Sequence, residues 1–148
     1  MRVYFPLTNA RGEVSGFQGR MTIPDVKPKY KTTAGTDYLW GWNNLDQYPR
    51  RVVFCEGILD AIHGTNRVAL IGTHLRLVHL KLVRNLTTIR EIVFFLDGDA
   101  RSSAWKLAKI LWETFRGVKI GIAAPPGDTD PDDWKENSEQ FLETIEWL

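Results

Sequence analysis

The 148-residue sequence predicts an α/β fold, a four-stranded and mostly parallel sheet with flanking helices, preceded by a small antiparallel β lobe. Two observations carry this. After Pro49, four compact apolar runs (RVVFCEG, VALIGT, EIVFFLDGD, VKIGIAA) alternate with stretches of helical spacing. Strands joined by crossovers of that length pair in parallel, with helices over both faces of the sheet. Before Pro49, short β-like runs (RVYFPL, EVSGFQGRMT, YLWGW) are broken by Asn9-Ala10-Arg11-Gly12 and by a Pro/Lys stretch at 24–31, the rhythm of an antiparallel lobe. The chain thus divides into a basic β-rich lobe at 1–49 and an α/β domain at 50–148.

The connecting segments follow in order. ILDAIHG reads as a short helix, LRLVHLKLVRNL as a longer one. SSAWKLAKILWETF presents Trp105, Leu107, Ala108, Leu111, Trp112 and Phe115 as one face to the core. A last helix is expected through FLETIEWL, carrying Glu139, Glu143 and Glu146 as solvated surface. Trp40 and Trp42 alternate in YLWGW and are expected to point the same way along a strand.

Composition narrows the function. Hydrophobic residues make up 43% and charged residues 25%, which excludes a disordered chain. The formal charge is only +1, yet it is unevenly spread. Residues 1–51 and 52–123 each carry net +4, and residues 124–148 carry net −7. A basic body with an acidic end calls for an explanation. Cys55 stands alone inside an apolar run and reads as a small core residue. His74 and His79 are five apart, off a shared helical face, and read as surface or cap residues rather than ligands. No run approaches the ~18 apolar residues of a membrane span, and no signal peptide opens the chain, so the cytoplasm is the expected compartment.

In an open parallel sheet, ligands bind beyond the carboxyl ends of the strands. There the sequence places Glu56-Gly57 with Asp60 a turn later, then Gly72-Thr73, then Asp97-Gly98-Asp99, then the loop Gly127–Asp133 with Asp128, Asp130, Asp132 and Asp133. Each acidic residue taken singly reads as a helix cap or solvated surface. Together, carboxylates at one sheet edge repel one another unless a cation neutralises them. Oxygen donors without nearby Cys or His suit Mg²⁺ or Mn²⁺ rather than zinc. Neither GxGxxG, GxxxxGK[ST] nor GxSxG occurs, which removes the dinucleotide, P-loop and nucleophile-elbow chemistries.

A strand ending in CEGILD, then one ending in FFLDGDA, resembles the TOPRIM (Rossmann-like) domain. The flanking text RVYFPLTNARGEVSGFQGR, PKYKTTAGT, ALIGTHL and PPGDTDPDDW is similar, in order over nearly the whole chain, to the RNA-polymerase core of bacterial and phage DnaG-type primases. That resemblance implies metal-dependent nucleotidyl transfer, synthesising RNA primers on a single-stranded DNA template from nucleoside triphosphates. It implies that Glu56, Asp97 and Asp99 are catalytic carboxylates holding two Mg²⁺ or Mn²⁺ ions, with Asp60 in support and Asp130 and Asp132 completing the site. It implies that Arg20, Lys29 and Tyr30 bind nucleotide and template. Lys27 and Lys31, each read singly as part of a solvated basic loop, would add to the positive field. No role passes to Asp128 or Asp133.

The chain departs from the family where Arg101-Ser102 replace Ala-Gly, setting an extra positive charge expected near the metals. The match begins inside the family's N-terminal lobe, which implies either an excised core or a split or reduced primase of a phage or mobile element, with a zinc ribbon and a helicase module as separate partners. Two rival readings stay open at this stage. One is a TOPRIM nuclease, and the other is a non-catalytic nucleic-acid-binding module of a replication assembly.

Overall fold

The computed structural model describes residues 1–35 and 37–148; Thr36, the last residue of the PKYKTTAGT match, lies outside them. Strands β1 (Arg2–Thr8), β2 (Val14–Met21) and β3 (Tyr30–Ala34) form a three-stranded antiparallel sheet in that order. The β1–β2 turn is locked by Asn9, whose side-chain oxygen accepts from the backbone N–H groups of Arg11 and Glu13, as Asn does in turns of this kind.

The second sheet has five strands in the order β5 (Arg67–Ala69), β4 (Arg51–Cys55), β6 (Glu91–Phe95), β7 (Lys119–Ala123) and β8 (Glu146–Trp147). The first four are parallel and β8 closes the edge antiparallel to β7. The helices are α1 (Ile58–Ile62), α2 (Leu77–Asn85), α3 (Arg101–Thr114) and the single turn α4 (Pro131–Trp134). None is long and apolar enough to cross a membrane.

Alternation along the strands sorts the core into two layers. Val52, Phe54, Ile92, Phe94, Ile120 and Ile122 pack with Val78 and Leu82 of α2 and with Ala104, Leu107, Ala108 and Leu111 of α3. Val53, Cys55, Val93, Phe95 and Ala123 pack on the other side with Ile58 and Ala61 of α1 and with Leu142. Leu7 of β1 is fully buried in that second layer, so the antiparallel sheet is seated against the α1 face. Each large side chain buried this way contributes about 1.5–3 kcal/mol.

Four expectations need correction. The chain end is not a helix: a 3-10 run covers Lys135–Glu143, and Glu146 lies on β8. The edge pairing wins because Gly121 leaves room; a β-carbon there would meet Ile145 Cγ2 at 2.6 Å and Glu146 O at 2.7 Å. Nor is Glu139 merely solvated, since it pairs at 2.7 Å with Arg67, which has no exposed surface. Trp42 begins a 3-10 turn (Trp42–Asn44) with its ring over Gly12, whereas Trp40 bridges to Ala69; the left-handed φ of 112° at Gly41 breaks the expected strand between them. Finally, Trp112 is 54% exposed. The buried stripe of α3 is the narrower Ala104, Leu107, Ala108, Leu111 face, with Trp105 and Phe115 at its margins.

Candidate functional site

The carboxyl ends of β4 and β6 and the loop after β7 converge. Glu56 follows β4 directly, and Gly57 caps α1 with its N–H donated to Asp60 Oδ2 at 2.8 Å. Asp60 is thereby turned back toward the sheet edge rather than out to solvent, and it is 6% exposed. Asp97 and Asp99 flank Gly98 in the turn after β6. A β-carbon on Gly98 would collide with the carbonyl of Gly127, and the Gly98 N–H donates to Thr129 O at 2.9 Å. Only glycine permits the two acidic loops to approach this closely.

Asp130 is the N-cap of α4. It accepts from Asp133 N at 2.8 Å while its own N–H donates to Asp133 Oδ2 at 3.1 Å, a capping box completed by Pro131 at the first helical position. Asp133 therefore acts as the cap's partner, and Asp128 is exposed. The caps leave Asp60, Asp97 and Asp130 facing one another. Their carboxylate oxygens lie within 4.8 Å of each other, the one such group of three among the described residues.

The electrostatics match this crowding. Burial, reinforced by the charges of Asp97 and Asp130, lifts Asp60 to about 6 against the hydrogen bond from Gly57. Burial and the charges of Glu56, Asp130, Asp99 and Asp133 lift Asp97 to about 6. Glu56 is raised by burial and by Asp60, Asp99 and Asp130. Asp97 Oδ1 is buried with no hydrogen-bond partner, an acceptor left without a donor in a site rich in acceptors. Such an arrangement is costly alone and becomes favourable around a hard divalent cation.

Across the cleft stands a basic wall. Arg20 on β2 lies opposite Tyr30 on β3 and donates to its hydroxyl at 2.9 Å. The Arg20 guanidinium and the Lys29 ammonium lie 5.5 and 5.6 Å from the Tyr30 ring centre, within cation–π range. Tyr30 is raised by burial, lowered by Arg20, and raised again by Asp60, Asp132 and Asp130, which registers the two walls facing each other. Arg20, Lys29, Tyr30, Glu56, Asp60, Asp97, Asp130 and Asp132 line one cleft of about 510 Å³, a volume suited to a nucleotide. A larger groove of about 610 Å³ continues past Arg20 and Lys29, but Asp25 is its sole carboxylate; the carboxylate triad lines the smaller cleft.

Some expected residues fall outside the triad, and some outside the cleft. Asp99 is exposed and, like Glu56, falls outside the tight carboxylate triad. Asp132 Oδ1 is bound by His63 at 2.9 Å. Lys27 lines the neighbouring groove and Lys31 is exposed. Arg101 does not charge the metal edge: its guanidinium pairs with Glu146 of β8. Two supporting residues went unread in sequence. Arg2 donates to Pro28 O at 2.6 Å and Lys29 O at 3.3 Å, fixing the entry to β3. His63 sits three residues after Asp60, and that i,i+3 spacing was the available signal.

A carboxylate-rich sheet edge facing a basic β wall is the layout expected of a TOPRIM-type α/β fold. Comparison with known proteins narrows the class. No protein-family model matches the chain. A DNA primase of Legionella pneumophila is 31% identical over 164 residues, covering 98% of this chain and 28% of that protein. Among solved structures, the E. coli primase catalytic core superposes with a TM-score of 0.80 at 28% identity, over 99% of this chain and 53% of that one. A DnaG primase catalytic domain bound to single-stranded DNA gives a TM-score of 0.79 at 27% identity, over 97% and 53%. The chain is homologous to the TOPRIM-containing catalytic core of DnaG-type primases, and it spans about a quarter of the length of the curated relatives it matches.

Proposed function

We propose that the chain carries out the nucleotidyl transfer of a DnaG-type primase, joining nucleoside triphosphates into a short RNA primer on single-stranded DNA. The observation that supports this reading most is the opposition, across one cleft, of the Asp60–Asp97–Asp130 group and the Arg20–Lys29–Tyr30 wall. The three aspartates have the donor chemistry to hold one Mg²⁺ or Mn²⁺, and Glu56 and Asp99 flank them as donors for a second. Bound there, such cations offset phosphate charge and lower the pKa of an attacking hydroxyl.

The chain's own residues do the positioning. Arg20 and Lys29 hold triphosphate oxygens as charge-assisted contacts that carry no sequence information. Tyr30 fixes the Arg20 fork through its hydroxyl and ring. The primer 3′-hydroxyl gives its proton to solvent as its oxygen bonds to the α-phosphorus, the bond from that phosphorus to the bridging β-phosphate oxygen breaks, and pyrophosphate departs toward the basic wall. Template, zinc ribbon and helicase are the partners this reading assigns to the assembly.

Labelled single-stranded DNA incubated with Mg²⁺ or Mn²⁺, with and without nucleoside triphosphates, tests it. New products that require nucleotides are expected. Shortened strands instead would establish a nuclease, and salt-sensitive binding without either product would leave a binding module.

A further inference from the structure

We propose that His63 is a positioning residue that latches the Asp130–Asp132 loop onto α1 by clamping the Asp132 carboxylate, so that Asp130 is kept beside Asp60 and Asp97. The proposal rests on the reading of those three aspartates as cation ligands. His63 is the C-cap of α1, three residues from Asp60 and so on the same helical face. Its Nε2 lies 2.9 Å from Asp132 Oδ1, and its Nδ1 lies 3.8 Å from Glu136 Oε1. The same Asp132 donates its backbone N–H to Asp60 Oδ1 at 3.3 Å. The imidazole is 18% exposed and does not line the cleft, so it reaches the site only through Asp132.

The loop needs such a hold. α4 is one turn long, too short to order itself. It presses the Asp130 carboxylate toward Asp60 and Asp97, and like charges at that separation push it outward. The remaining polar ties are Gly98 N to Thr129 O at 2.9 Å and Trp134 Nε1 to Thr129 Oγ1 at 3.0 Å, beside the packing of buried Pro131 and of the Trp134 ring on Phe141. The His63 clamp joins segments 69 residues apart, on the same Asp132 whose N–H bonds Asp60. Clamped from the α1 side, Asp132 serves as the loop's anchor while Asp130 faces the cleft.

The test is Mn²⁺ binding to the purified chain, read from the loss of the free-ion electron paramagnetic resonance signal. His63→Gln places an amide N–H near the position of Nε2, whereas His63→Asn is polar and tolerated at a helix end but too short to reach Asp132. Residues that orient a ligand typically change metal affinity by about 10–100-fold. His63→Asn and His63→Ala are therefore expected to weaken Mn²⁺ binding at least about tenfold, with His63→Gln restoring most of it. Equal affinity for the Asn and Gln variants, with thermal midpoints alike, overturns the latch. Absence of Mn²⁺ binding by the unsubstituted chain overturns the ligand reading and the latch with it.

Discussion

The two walls of the cleft are built on opposite economies. On the β2–β3 side, Arg20 is half-buried and Lys29 is exposed; their charges are solvated and are steadied by one tyrosine. On the sheet edge, Asp60 is buried, Asp97 holds an orphaned oxygen, and both are lifted to about 6. The cationic wall costs the fold little. The acidic wall stores repulsion that protonation or a bound metal ion relieves. Function and stability should accordingly separate on one side of the cleft and not on the other.

The largest effect is expected on the acidic wall. Asp97→Asn should reduce metal-dependent primer synthesis by about 10³-fold or more, as loss of a charge-stabilising group does in a desolvated site. Because the folded state disfavours the Asp97 charge, the metal-free variant should melt at the same temperature or higher at pH 7.5. A midpoint several degrees lower would mean that Asp97 supports the fold instead.

On the basic wall, Arg20→Ala and Lys29→Ala should each weaken single-stranded DNA or nucleotide binding by about tenfold at low salt. Each should also lower the slope of log affinity against log salt by about one. Stability should change by no more than about 0.5 kcal/mol. Fluorescence titrations at several salt concentrations measure both quantities.

Proton linkage sharpens the contrast. Asp60 and Asp97 hold protons up to about pH 6 when folded, but only near their ordinary value when unfolded. The metal-free chain keeps this contribution below about pH 4 and loses it as pH rises through 6. A cation competes with those protons. Mn²⁺ at a hundredfold excess over its Kd should stabilise by about 2.7 kcal/mol, with the gain largest at pH 7.5 and nearly gone at pH 5. Melting curves across that range check the sign; a gain independent of pH would place the cation elsewhere. The smallest effect is expected at Arg101→Ala, which removes an exposed pair with Glu146 and should cost at most about 0.5 kcal/mol.

Much of this was legible in the residues. The four parallel strands follow from apolar runs of five or so residues, and Glu56, Asp60 and Asp97 stand out by their place at the strand ends, whereas Asp130 is singled out of its acidic loop only by the resemblance to primases. What sequence missed depended on contacts remote along the chain. The strand at Glu146 exists because Gly121 offers no side chain, which helical spacing in FLETIEWL conceals. Glu139 looked solvated until Arg67, 72 residues away, claimed it. His63 carries no motif of its own and takes its meaning from Asp132 across the same kind of distance. Local propensity records neighbours in sequence, and these residues answer to neighbours in space.

The central claim is that a divalent cation sits among Asp60, Asp97 and Asp130 with triphosphate directed at Arg20 and Lys29. Anomalous diffraction from a crystal soaked in Mn²⁺ and a nucleoside triphosphate tests it most directly. The expected result is a manganese peak within bonding distance of those three carboxylates, with phosphate density reaching the basic wall. Nucleotide bound with no manganese among the aspartates would contradict it.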